Sequence, residues 1–425
     1  MELGIISDTK CKPEISRLTF GQIQKEFFVL AVKDSASVSL LSFTQVKAAA
    51  VRTKPAVIGG MKVAQYFDWD DCRNAVYGGA FLAGGGGGGI EGGLAMINGL
   101  AEKYPDFRLP VISAEELGDD QYSCVFGGIA APSAVAFDGV LELFVKLMTT
   151  GYESASRIVP NGIHAVMPPE AGAMCFPMAV IPCIANGLPL LDADGCDRAA
   201  PGLDCCLYTL NGIPFYPSVL STSEGHVLRV ESKDPLSADV TEKVARQVLP
   251  LFENVLGMVC WYSSKKDVLD KLVCGTVTKA RAVGKALLEA KKAGTSILEA
   301  VGKIIPVRLL AEGVVTDLQL RVSGGHDLGC TTVRTDDGKL CYVDFANENL
   351  VIRTDDEVLM TCPDVICCID TESYCPLSSM DIRVGQRVQY IATPVSGKWF
   401  DNDQPKCGFE PYFEMCGYKG DVVRY

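Results

Sequence analysis

Six consecutive glycines, Gly84 to Gly89, interrupt the stretch AFLAGGGGGGIEGGLAMINGLAEKY. No helix or strand interior sustains such a run, because glycine loses more backbone freedom on ordering than any other residue. The run therefore predicts a loop, fed by a buried or strand-like piece and followed by a helix. Its backbone N–H groups are unobstructed by side chains, and a helix start just after it would add a positive end. That combination suits a carboxylate or phosphate, so Gly85, Gly86, Gly87 and Gly88 are candidate substrate-binding positions. A flexible connector explains the run as well. It lacks the Gly-Lys-Ser ending of a P-loop and is no clean G-x-G-x-x-G, which leaves nucleotide binding with little support.

Elements alternate around this loop. Trp69 to Tyr77 reads as a short helix, and Pro132-Ser133 opens another, with Ser133 as its cap and Phe137, Val140, Leu141, Phe144, Leu147 and Met148 on one face. Gly162 to Met167 reads as a buried strand closed by Pro168-Pro169, Cys175 to Ala185 as a small-residue helix, and Leu188 to Leu191 as a second strand. Strands alternating with helices imply an α/β domain around a largely parallel sheet. After Asp239 the pattern turns helical, with Val240, Val244, Val248 and Leu251 on one stripe. It is helical again from Thr276 to Ala290, where Ala280, Val283 and Leu287 recur. Beyond Ala311 the period becomes two, as in Leu318, Leu320 and Val322 and again in Val388 and Tyr390. Asp336-Asp337-Gly338 and Asp355-Asp356 mark turns. The expected organisation is a segment 1–66 of unread role, which holds the apolar run Val38 to Phe43 and the Lys54-Pro55 turn. An α/β domain 67–235, a helical connection 236–310 packing on it, and a β-rich domain 311–425 follow.

Charge and cysteine content narrow the function classes. At 425 residues with 48% hydrophobic and 21% charged residues, the chain has the composition of a globular protein of two domains. A net charge of -13 argues against nucleic acid or an anionic membrane as partner, since both repel an acidic surface. A small-molecule substrate is the expected partner, alongside further copies of the chain in a homo-oligomer. The start Met-Glu-Leu-Gly-Ile has no basic residue before an apolar stretch, so the 18 cysteines are expected as reduced thiols in a cytoplasmic protein. No C-x-x-C pair occurs, and Cys205-Cys206 and Cys367-Cys368 lack the spacing of a zinc knuckle. No apolar run reaches the roughly 20 residues a bilayer demands.

Three segments place polar groups where predicted strands end: the glycine run, Pro169-Glu170-Ala171-Gly172, and Leu191-Asp192-Ala193-Asp194-Gly195. In an open α/β sheet such strand ends line the ligand-binding rim. Asp192 and Asp194 share a face if the strand continues. They could act as base and orienting group or hold a metal, and a polar turn explains them nearly as well. Arg198 could neutralise them or grip an anionic group with two hydrogen bonds. His164, in an apolar strand, reads as an interior histidine. His226 and His326, in polar surroundings, are candidate bases or ligands, so a zinc site could draw on His226, His326, Asp192 and Asp194, though no spacing pairs them.

The ordered motifs AGGGGGG, PEAG at Glu170, GLPLLDADGCDRAAP from Gly187, DFANENL at Asp344 and CPDVICCID at Cys362 resemble the S-methyl thiohydantoin desulfurase family. The resemblance runs from about Asp68 to Tyr425. It implies an α/β sandwich domain followed by a β-barrel-like domain, and hydrolysis of an S-methylated thiohydantoin to a hydantoin and methanethiol. It also implies catalytic roles for Glu170, Asp192 and Asp194, with a substrate carboxylate on the glycine loop or Arg198. Asn347 and Glu348 keep the family pattern, either facing the pocket or shaping a turn, with the turn favoured.

Two departures bear on activity. The family's Asp-Gly-Met-Gly-Arg-Ala-Phe-Pro-Glu ends here in Pro201-Gly202, without the glutamate, and Glu-Ile-Gly-Gly has become Glu170-Ala171-Gly172-Ala173. The leading expectation is a hydrolase acting on a small heterocyclic ring. The rivals are a diverged binding or regulatory protein that keeps the pocket without turnover, and a subunit of a hydantoinase-like complex.

Overall fold

Asp68 starts the first helix. Its Oδ1 accepts the N–H groups of Asp70 and Asp71 at 3.0 and 2.9 Å, and its own N–H donates to Asp71 Oδ2 at 3.3 Å. This reciprocal cap satisfies donors that a bare helix end leaves open. Helix α1 (Trp69–Ala83) then runs to Gly84, whose φ of 65° ends it. Ala80–Ala83, expected as a buried or strand-like piece, is buried but forms the helix's last turn, because a helix already nucleated and capped extends more cheaply than a new element begins. The glycine run therefore joins α1 to α2 (Ile90–Lys103) rather than following a strand.

The computed structural model describes residues 57–58, 61–62, 65–130, 140–252, 254–323 and 326–425. The sequence readings at Val38 to Phe43, Lys54-Pro55, Pro132-Ser133 and Phe137 lie outside them. The described residues belong to the compact unit Ala49–Tyr425.

The first sheet contains β1 (Gln65–Phe67), β2 (Leu109–Ile112), β3 (Tyr122–Ala130), β4 (Ile163–Met167) and β5 (Leu190–Leu191). Short β6 (Ala193–Asp194) lies outside it, and β7 (Ser218–Ser221), β8 (Val227–Val230) and β9 (Val255–Ser264) complete it. The spatial order is β8-β7-β9-β3-β4-β5-β2-β1. Its centre, β3-β4-β5-β2, is parallel as expected, and the flanking pairings on both sides are antiparallel. Successive residues of β3 enter different cores: Cys124 and Phe126 pack in one cluster with Met96, Leu147 and Val180, while Val125 packs in another with Val283 and Leu287. Both faces are thus covered, which explains the near-continuous apolar strands. The first face is covered by α2, α3 (Val140–Thr150), α4 (Cys175–Asn186) and one side of α1, through Cys72, Val76 and Ala80.

The stretch 236–310 carries more than helices. In α5 (Asp239–Val248) the buried face is Thr241 and Ala245, whereas Val240 and, just beyond the helix, Leu251 are exposed. Strand β9 then enters the first sheet between β7 and β3. After β10 (Val273–Cys274) comes α6 (Thr276–Ala293), on which Ala280, Val283 and Leu287 are buried as expected. Glycines bring α6 against α1. A Cβ at Gly78 would fall 1.7 Å from Ala280 O, and one at Gly284 would fall 1.8 Å from Asn74 O.

The C-terminal domain is one antiparallel sheet. Its strands are β11 (Arg308–Ser323), β12 (His326–Thr335), β13 (Leu340–Ala346), β14 (Glu348–Thr354), β15 (Val358–Thr361), β16 (Val365–Asp370), β17 (Pro376–Leu377) and β18 (Arg387–Thr393). They lie in the order β15-β14-β13-β12-β11-β18-β16-β17, and among the described strands no ladder joins the two edges. Gly338, with φ 84°, turns β12 into β13. Val388 and Tyr390 are fully buried, whereas Leu320 and Val322 alternate as expected yet lie exposed. Among the described residues the cysteines are free thiols and no helix is long and apolar enough to cross a membrane.

Candidate functional site

The loops after β4 and β5 carry the acidic residues, at the carboxyl ends of neighbouring parallel strands. They are stitched together: the Ala171 N–H donates to Arg198 O at 3.2 Å, and the Ala200 N–H donates to Glu170 Oε2 at 2.8 Å. The Cys175 thiol donates to Glu170 Oε1 at 3.4 Å. Asp194 Oδ1 accepts two N–H groups, from Cys196 at 2.8 Å and Asp197 at 2.6 Å. A cavity of about 20 Å³ beside them is lined by Glu170, Asp194, Thr276, Phe176, Gly79 and Ala280 among others, room for a water-sized molecule.

Burial moves both carboxyl groups toward neutrality. Glu170 rises from 4.5 to about 7, chiefly through loss of water; the bonds from Ala200 and Cys175 oppose the shift, the nearby Asp194 adds to it, and Arg198 opposes it. Asp194 rises from 3.8 to about 6, again chiefly by burial, with Asp197 adding to the shift and the two N–H groups and Lys279 opposing it. A pair of acids whose protonation changes around pH 6 to 7 is suited to proton transfer at physiological pH.

Asp192 does other work. Its Oδ1 accepts the N–H groups of Val277 and Thr278 at 2.9 and 3.1 Å, and its Oδ2 accepts the Thr278 hydroxyl at 2.7 Å. The carboxylate thus holds the start of α6, where the helix dipole favours negative charge. The strand breaks at Asp192, between β5 and β6, which separates the two aspartates despite their spacing.

Arg198 is completely buried. Its Nε donates to Ala199 O at 2.7 Å, and its Nη1 to Pro363 O at 2.8 Å and Asp364 O at 3.3 Å, while the guanidinium packs 5.1 Å from the centre of the Phe409 ring. It ties the β domain to the site loop instead of gripping an aspartate, and among the described residues its Nη2 has no hydrogen-bond partner. Asp197 is the aspartate that takes a cation, pairing with Lys279 and accepting the Ser396 N–H at 3.0 Å.

The glycine run is a spacer between domains. Gly84 O accepts the Asn349 N–H at 2.8 Å, Gly85 O the Ser379 N–H at 2.9 Å, and Gly87 O the Met174 N–H at 3.0 Å. A Cβ at Gly86 would fall 1.9 Å from Glu348 Oε1, and one at Gly87 would fall 2.5 Å from Gly172 Cα. Gly88 faces Met174, and Asp381 stands beside Gly89. An anion at this loop would meet the carboxyl groups of Glu348 and Asp381. Glu348 is buried and pushed well above the usual carboxylate range by desolvation and by Glu170. Asn347 forms the turn: its φ is 60° and its Oδ1 accepts the Asp327 N–H at 2.9 Å.

The histidines are scattered. His164 Nδ1 accepts the Tyr122 N–H at 3.4 Å. His226 is exposed and lies 3.3 Å from Glu224. His326 is buried, bonded through Nε2 to Pro201 O at 2.9 Å and set edge-on to Tyr412. The expected zinc ligands are thus not brought together: His226 pairs at the surface, and Asp192 spends both oxygens on α6. Among the described residues no group of three or more His, Cys, Asp or Glu is arranged to hold a metal. These donors do not fit a zinc ion. At Gly202, where the family motif carries glutamate, a Cβ would fall 1.8 Å from the Tyr412 hydroxyl, so that tyrosine occupies the space.

Sequence reasoning missed Thr276 and Cys175. Thr276 follows Gly275 at a helix start, a signal for a residue near a helix end, whereas nothing in the spacing marked Cys175.

The fold and site define a class: an α/β domain with a carboxyl-lined cavity at the rim of its parallel strands, joined to an antiparallel β domain that reaches the same loops. Family models described as S-Me-THD-like, N-terminal domain and S-Me-THD-like, C-terminal domain match residues 70–232 and 237–416. The chain belongs to this S-Me-THD-like family, that of the S-methyl thiohydantoin desulfurases. The structural division differs from the match boundaries, since β9 lies in the first sheet but within the second match. A crystal structure of a protein from Chromobacterium violaceum is similar in fold, with a TM-score of 0.71, 23% identity, and coverage of 85% of this chain and 100% of that one. No curated protein matches this chain.

Proposed function

We propose that the chain is a hydrolase that adds water to the sulfur-bearing carbon of an S-methylated thiohydantoin-like ring and releases a thiol. Family membership supports the substrate class. The observation that carries the chemistry is the pair Glu170 and Asp194, flanking a water-sized cavity with carboxyl groups raised to about 7 and about 6.

Near neutral pH a proton shared by the pair rests mainly on Glu170, the weaker acid, which makes Glu170 the acid and Asp194 the base. Both N–H bonds to Asp194 fall on Oδ1, so Oδ2 remains to take a proton. Asp194 accepts a proton from water as the water oxygen bonds to the ring carbon. The C=N electron pair moves to the ring nitrogen, which takes the Glu170 proton. The tetrahedral centre then forms C=O as the C–S bond breaks; its hydroxyl proton passes to Glu170, and methanethiolate leaves with the proton from Asp194. Both groups return to their starting states.

The test is incubation of the purified chain with S-methyl thiohydantoins, following free thiol and the mass of the ring product. Stoichiometric thiol and hydantoin support the reading, and neither product from any such ring contradicts it. A second reading, a binding protein without turnover, draws on Gly202, where the Tyr412 hydroxyl fills the place of the family's glutamate. It predicts saturable binding of the same rings with no product.

A further inference from the structure

Thr276 lines the same cavity as Glu170 and Asp194, and only 2% of it is exposed. Among the described residues its hydroxyl has no hydrogen-bond partner. Protein interiors seldom leave such a group unpaired, and an unmade bond there is usually completed by an ordered water. Neighbouring structure fixes the hydroxyl's position. Asp192 clamps the next two residues through the Val277 and Thr278 N–H groups, and the Gly275 N–H donates to Asp192 O at 2.7 Å. Strand β10, just before Thr276, pairs with β6, setting Val273 opposite Asp194 and Cys274 opposite Ala193. Thr276 and Asp194 are therefore held in one frame, and together with Glu170 they line one space sized for a water, with two of the three able to titrate.

We propose that Thr276 Oγ1 holds the attacking water between Glu170 and Asp194, a role that rests on the hydrolytic reading above. The water donates one proton to Asp194 and one hydrogen bond to Thr276 Oγ1, which leaves an oxygen lone pair for the ring carbon. No chemical change occurs at the hydroxyl, which can accept a hydrogen bond without changing charge. Asp192 then affects turnover at one remove, as a positioning residue that places Thr276 by fixing the start of α6.

The test compares Thr276→Val, which keeps the shape and removes the hydroxyl, with Thr276→Ser, which keeps the hydroxyl. Thr276→Val is expected to lower kcat by about 100-fold, the size of effect seen when a reacting group loses its placement. KM and the melting temperature should stay near wild type, and Thr276→Ser should recover most of the loss. A Thr276→Val enzyme that folds and keeps its kcat overturns the proposal, as does loss of activity that serine does not rescue. A high-resolution crystal structure of the unaltered chain reads the site without turnover. An ordered water within hydrogen-bond distance of Thr276 Oγ1, Glu170 and Asp194 supports the assignment, and a dry cavity overturns it. If the water is present while no thiol is released from any ring, it is the hydrolytic reading that fails.

Discussion

The Asp192 carboxylate accepts the Thr278 hydroxyl at 2.7 Å, a contact across 86 residues of chain that fastens the end of β5 to the start of α6. Asp192 also receives two N–H groups there, so its removal would strand buried donors. Asp192→Ala should destabilise the chain by about 1–3 kcal/mol, combining a lost helix cap with unsatisfied N–H groups. Asp192→Asn, which keeps one carbonyl oxygen, should cost less. Denaturant melts of the two variants check the order; equal stability to wild type in both would contradict the capping role.

Glu170 makes stability depend on pH with an inverted sign relative to a salt-bridged carboxylate. Its folded-state value is raised from 4.5 to about 7, so the folded chain keeps a proton that the unfolded chain releases. The stabilisation is full below about pH 4.5 and is lost as pH rises through about 7, with a slope of about 1.4 kcal/mol per pH unit between them. Asp194 acts in the same direction between 3.8 and about 6. Unfolding free energy measured from pH 4 to pH 8 should decline across this window, and Glu170→Gln should flatten the upper part. A slope that Glu170→Gln leaves unchanged would contradict the shift.

Cys175 tunes that proton. Its thiol donates to Glu170 Oε1 at 3.4 Å and stabilises the carboxylate form. Cys175→Ala should raise the Glu170 value further and move the alkaline limb of kcat/KM to higher pH, whereas Cys175→Ser should leave it near wild type. A limb that moves to lower pH in Cys175→Ala would show the thiol acting in the opposite sense.

Gly86 and Glu348 meet where the domains touch. A Cβ on residue 86 would lie 1.9 Å from Glu348 Oε1 and 2.6 Å from its Cγ, and a buried side chain has little room to retreat. Gly86→Ala should therefore cost about 1–3 kcal/mol, and adding Glu348→Ala should recover part of it. Two penalties that simply add in the double variant would mean the residues are not in contact.

Much of this architecture was readable because periodicity reports burial. Pro168-Pro169 closes the strand at Gly162 to Met167, small residues mark the helix at Cys175 to Ala185, and the recurrence of Ala280, Val283 and Leu287 marks the helix at Thr276 to Ala290. Glu170 and Asp194 stand out as candidates in the sequence by their place after strands, and the structure puts both at the ends of neighbouring parallel strands. Strand β9 was not seen, since the apolar run Val255 to Cys260 followed a helical stripe with no clear break, and only its partners in the sheet define it as a strand. The two aspartates were expected to share a face; a break in the strand and a helix 85 residues downstream divide their roles. Arg198 stands out in the sequence by its charge, yet its three acceptors are backbone carbonyls, two of them in a distant segment that no local pattern supplies. The hairpin residues Leu320 and Val322 alternate correctly but face solvent, because period two reports a strand and not which face a core will cover.

The most direct measurement is the pH dependence of kcat/KM for thiol release from an S-methyl thiohydantoin, in the unaltered chain and in Glu170→Gln. A bell is expected, with limbs near the values of about 6 for Asp194 and about 7 for Glu170. In Glu170→Gln the alkaline limb should disappear and the maximum should fall by about 100-fold or more. A Glu170→Gln enzyme that releases thiol at the wild-type rate with the same profile would contradict it.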